Sequence, residues 1–66
     1  MNIFINGKKF FSETDLTISE FLKKNNISEN NIVVEINKEI ITKNLWEKYK
    51  LNNNDKVEII TAVGGG

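Results

Sequence analysis

The chain has 66 residues, 39% hydrophobic and 27% charged, and its nine basic and nine acidic side chains cancel. That size and balance fit one soluble domain of modest stability, with no electrostatic footprint for nucleic acid or an anionic membrane. With no Cys, no His and Met1 as the single methionine, the chain lacks thiol chemistry, disulfides, the commonest metal ligands and the usual general base near neutral pH.

Met1 to Ser12 reads as a β-hairpin. Met1, Ile3 and Ile5 alternate with Asn2 and Phe4. Asn6-Gly7 follows, the strongest short hairpin signal, because both residues accept positive φ. A two-residue turn there pairs Ile5 with Lys8, Phe4 with Lys9 and Ile3 with Phe10. One face then carries Met1, Ile3, Ile5 and Phe10, the better core face, and the other carries Phe4 and Phe11. Thr17 with Glu20 three residues later is a capping box. Ile18, Phe21 and Leu22 follow as the one-sided apolar stripe of a short helix. Lys23 and Lys24 suit the negative end of its dipole, and Asn25-Asn26 is a stop.

Ile32 to Ile36 is a third strand with Ile32, Val34 and Ile36 on one face. Asn37-Lys38 turns it into a short fourth strand through Glu39, Ile40 and Ile41. Thr42 is expected to cap a single helical turn carrying Leu45 and Trp46, with Trp46 as a packing anchor. Asn52-Asn53-Asn54-Asp55 is a polar turn in which Asp55 serves turn geometry. Lys56 to Val63, rich in β-branched residues, is the last strand. Lys8-Lys9 and Lys23-Lys24 read as solvated faces. No apolar run reaches transmembrane length and the N-terminus has no signal-peptide pattern, so the cytoplasm is the expected location. The elements predict an α+β fold, one helix across a mixed sheet, with residues 1–63 as the domain and 64–66 as a flexible glycine tail.

Gly64-Gly65-Gly66 is poor strand material, since glycine has no side chain to pack and loses the most entropy on ordering. A frayed terminus is the plainer reading of such an end. Here, however, the glycines directly continue a strand, which projects the terminal carboxylate from a fixed scaffold. An arm without side chains can also enter a channel where any Cβ would clash. Phe4, Phe11, Ile60 and Ala62 are expected on the sheet face away from the helix, as a docking surface beside that arm.

The chain resembles the ThiS family of thiamine-biosynthesis sulfur carriers, and more distantly MoaD and ubiquitin. The resemblance rests on Ile5-Asn6-Gly7, on Thr17 through Leu22, on Glu35-Ile36-Asn37, on Trp46, on Asp55 through Ile60 and on Ala62 through Gly66. Thr42 departs from the pattern, where many members carry proline. The resemblance implies a five-stranded ubiquitin-like β-grasp, a short helical turn before the last strand, and a monomer when free. It also implies that the chain is a co-substrate and not an enzyme. A ThiF-like adenylyltransferase using Mg and ATP would adenylate the Gly66 carboxylate, with Gly64 and Gly65 threading partner active sites. Sulfur from a persulfide enzyme would replace AMP, and the resulting thiocarboxylate would serve the thiazole synthase ThiG. The carrier itself would bind no cofactor, metal, nucleic acid or membrane. The alternatives are a MoaD-like carrier for molybdopterin or another pathway, protein-tag conjugation, and a plain β-grasp interaction module.

Overall fold

Two hairpins of one design frame the sheet. In the computed structural model, which describes residues 1–62, β1 (Asn2–Ile5) and β2 (Lys8–Phe11) join through Asn6 and Gly7 at φ 46° and 85°. The register is the predicted one, Ile3 against Phe10, Phe4 against Lys9 and Ile5 against Lys8. Beyond the helix α1 (Ile18–Lys24), β3 (Ile32–Ile36) and β4 (Glu39–Ile41) join through Asn37 and Lys38 at φ 51° and 71°. Two consecutive positive-φ residues make the tight turn whose twist matches the strands it joins.

The last strand, β5 (Asp55–Thr61), runs up the middle, parallel to β1 and antiparallel to β3, in the order β2-β1-β5-β3-β4. This is the mixed five-stranded β-grasp sheet with one helix. β5 starts one residue earlier than the β-branched run suggests, and its predicted end at Val63 lies outside the described residues. Among the described residues no helix is long and apolar enough to cross a membrane.

Ile3, Val34, Ile36 and Val57 supply the sheet's buried face, and Ile18, Phe21 and Leu22 the helix's. Phe10 meets Phe21 edge to face, with ring centroids 5.3 Å apart. A seven-residue helix cannot persist on its own propensity, and its start is held entirely by identified partners. A helix leaves its first N–H groups without intrahelical acceptors. Here Thr17 and Glu20 satisfy each other's N–H as the capping box. Ile18 N–H donates to the Tyr49 carbonyl at 2.9 Å and Ser19 N–H to that of Trp46 at 3.0 Å.

The segment 46–51 that supplies those carbonyls is itself anchored. The buried Trp46 indole donates to the Ile41 carbonyl at 2.8 Å, as an anchor should. Leu51 N–H donates to the Leu16 carbonyl at 2.8 Å, and both leucines are core residues. Neither stands out in the sequence, because each sits in a loop with no periodicity to mark it. Thr42 needs a correction. It occupies the N-cap position of the short 3-10 turn Lys43–Leu45, but its hydroxyl bonds Asn44 Oδ1 and caps no backbone N–H. The hydroxyl has found a local acceptor that competes with the cap.

Candidate functional site

The glycine arm follows β5, so the site is built from whatever fixes that strand. At its start, Asp55 is buried, and its carboxylate accepts from Asn52 N–H at 2.8 Å and from Asn37 Nδ2 at 3.0 Å. It therefore serves turn geometry as expected, and also ties the 52–55 turn to the β3–β4 hairpin. Asn37 completes the tie, its N–H donating to the Lys56 carbonyl at 2.8 Å while its Oδ1 accepts Lys56 N–H at 3.0 Å. On the other side β1 pairs with β5 only as far as Ile5 against Val57. Asn6 then takes over. Its N–H donates to the Val57 carbonyl and its Oδ1 accepts Ile59 N–H, both at 2.9 Å.

The first residue of each hairpin turn is thus an asparagine that reaches sideways and extends the backbone ladder of the central strand. The sequence reading assigned Asn6 and Asn37 to turns alone. The available signal was the choice of Asn where Gly also satisfies the φ requirement, but its target is set only by the sheet order.

Strand alternation places Phe4 and Phe11, with Ile60 and Ala62, on the face away from α1. The register divides them into two groups. Phe11 lies opposite Asn2, whose carbonyl accepts Asn54 N–H, so Phe11 is level with the beginning of β5. Phe4 lies between Lys9 and Lys56. Ile60 is four residues further along, roughly 13 Å at the rise of a strand, and is paired with Val33. Between the groups, Glu58 and Glu35 stand directly opposite each other. Phe11 is 64% exposed and Ile60 46%, so both ends offer apolar area. Only Ile60 and Ala62 lie at the end from which the arm leaves. Gly64, Gly65 and Gly66 lie outside the described residues.

A hollow beside α1 is lined by Thr14, Asp15, Leu16, Glu20, Lys23 and Lys24. Its charges are of both signs, and no single ligand chemistry follows from them. A smaller hollow lies under the first hairpin turn, beside Phe4, Gly7 and Glu58. Among the described residues no group of three acidic or imidazole side chains could hold a metal ion.

Comparison with known proteins agrees with this geometry. The chain is 36% identical over 63 residues to the sulfur carrier protein ThiS of Bacillus subtilis, covering 94% of this chain and 96% of that one. It is 30% identical over its full 66 residues to a thiazole synthase of Paramagnetospirillum magneticum, of which it spans 20%. The crystal structure of the thiamine biosynthesis protein ThiS from Geobacter metallireducens superposes with a TM-score of 0.86 at 26% identity, over the whole of both chains. The family model for ThiS matches residues 3–66, through the glycines, and the chain belongs to the ThiS family.

Proposed function

We propose that this protein is the sulfur carrier for thiazole formation in thiamine biosynthesis, and that the Gly66 carboxylate is the group that reacts. The observation that carries the reading is the extent of the family match, which includes the terminal glycines along with the sheet that precedes them. A carboxylate is a poor acyl donor because its leaving group would be an oxide. An adenylyltransferase of the ThiF kind would join it to the α-phosphate of Mg-ATP, releasing pyrophosphate and giving an acyl-adenylate. Sulfur from a persulfide enzyme would then displace AMP, with a thiol reductant releasing the terminal thiocarboxylate. Neither step needs a thiol or a general base on the carrier, which fits a chain with no Cys or His.

Thiazole formation is favoured over molybdopterin synthesis by the likeness to part of a thiazole synthase. The thiazole synthase, ThiG in type, is therefore the proposed acceptor of the sulfur. Ile60 and Ala62 form the near part of the proposed docking face, with Phe4 and Phe11 the far part. The test is intact mass after incubation with an activating enzyme, Mg-ATP and a sulfur source. The expected result is the exchange of one oxygen for sulfur, confined to the C-terminal peptide and absent when Gly65 and Gly66 are deleted. An unchanged mass in an assay that modifies another ThiS protein would overturn the reading.

A further inference from the structure

The backbone of β5 beyond Val57 is supported unequally. On the β3 side the ladder continues to Thr61 against Ile32, and Ala62 N–H donates to the Asn31 carbonyl at 2.7 Å. On the β1 side the strand pairing stops at Val57. Among the described residues, the hydrogen bond from that side reaching furthest along β5 is that of the Asn6 carboxamide with Ile59. A strand held along one edge keeps freedom to twist about that edge, and small errors of direction grow along whatever chain follows it.

We propose that Asn6 is a positioning residue for the C-terminal arm. Its Oδ1 holds Ile59 N–H and thereby fixes the direction in which the end of β5 leaves the sheet. The inference rests on the carrier reading for its functional half, because direction matters only if the arm must be delivered to a reacting centre. Turn geometry favours asparagine here but does not require its carboxamide to reach Ile59. Gly-Gly also satisfies a turn with two positive-φ residues, whereas a side chain with an oxygen at this reach ties Ile59 N–H to the first hairpin rather than to water. Asn37 performs the matching task at the other end of β5, on Lys56, and this makes the central strand the common target of both turns.

The experiment compares wild type with Asn6→Gly, Asn6→Asp and, as a matched destabilised control on the edge strand β4, separated from β5 by β3, Ile41→Val. Gly keeps the turn and removes the oxygen; Asp keeps an oxygen in place and tolerates positive φ. Two quantities are read: exchange of the Ile59 amide by NMR, and kcat and KM for thiocarboxylate formation with the activating enzyme. In Asn6→Gly the Ile59 amide should exchange roughly tenfold faster relative to Val34, the loss of about one hydrogen bond. Its kcat should fall roughly tenfold with KM little changed, since a misplaced reacting group costs rate more than docking. Asn6→Asp should restore most of both. Ile41→Val should lower the melting temperature and leave kcat alone.

Wild-type kcat in Asn6→Gly, or an equal loss of kcat in Ile41→Val, would overturn the proposal. If wild type itself is not thiocarboxylated, the carrier reading fails and takes the functional half with it. In that event the Ile59 exchange still decides whether the tether exists. If Asn6→Gly does not fold, a chain with an ester in place of the Glu58–Ile59 amide supplies the contrast, since it removes the Ile59 N–H and keeps Asn6 and its turn. Its kcat should fall roughly tenfold, and a wild-type kcat would overturn the proposal.

Discussion

Asp55 shows how one residue can decide where a strand begins. A buried carboxylate must be satisfied, and this one accepts from two turns that are distant in sequence, at Asn52 and Asn37. Replacing it by alanine removes both bonds and leaves the Asn37 amide without its acceptor. Losing a charge-assisted pair of this kind costs about 2–3 kcal/mol. Urea denaturation of Asp55→Ala should show that loss with an unchanged m-value. The same change should speed exchange at Lys56, whose N–H depends on Asn37 for its acceptor. Asparagine carries this role throughout the chain: Asn6 and Asn37 extend β5, and Asn53 Oδ1 accepts Asn2 N–H at the start of β1. The type of residue was visible in the sequence, where it read as turn chemistry. Its partners were not, because they lie 18 to 53 positions away.

At the scale of elements, α1 and the hairpins were legible because their signals are local. A capping box spans four residues, and Asn-Gly between alternating runs specifies a register by itself. The box also gives the helix a pH dependence. The Thr17 backbone N–H, then the Thr17 hydroxyl, then Lys50 and Lys24 hold the Glu20 carboxyl below its ordinary range, with slight burial opposing them. A depressed carboxyl contributes stability that is complete above the unfolded-state value and is lost as pH falls through the folded one. The melting temperature should therefore drop below about pH 4. Glu20→Gln should flatten that part of the profile, a difference measurable by circular dichroism at a series of pH values. The segment 46–51 was not legible as part of the helix. Its carbonyls complete the N-terminus of α1 from a distance of some thirty residues, and no local pattern reports such a debt.

At the scale of the whole molecule, the outer sheet face carries an apolar group at each end, and between them the acidic pair Glu58 and Glu35 with the exposed Ile40 beside Glu35. Like charges directly opposite on neighbouring strands cost a few tenths of a kcal/mol, so Glu58 and Glu35 are not placed there for stability. If docking uses the end of the face next to the arm, Ile60→Lys should weaken binding to the activating enzyme by an order of magnitude or more, as loss of an interface anchor does. Phe11→Ser, at the far end, should change it less than threefold. Titration calorimetry on both variants checks this, and equal losses would assign the whole face to docking.

The sequence by itself determined the hairpins and the register of the first, the helix and its cap, most of the helix-facing core, and the family. Each follows from local propensity, short-range periodicity or an ordered set of motifs. The tertiary structure alone decided that Phe4 and Phe11 lie far from the end of β5 where Ile60 and Ala62 lie. It also decided that Leu16 and Leu51 belong to the core and that Asn6 and Asn37 clamp the central strand from both sides. The reason is physical. A strand's faces follow from its own alternation, but its neighbours and its level in the sheet depend on pairing between segments that only the folded chain brings together.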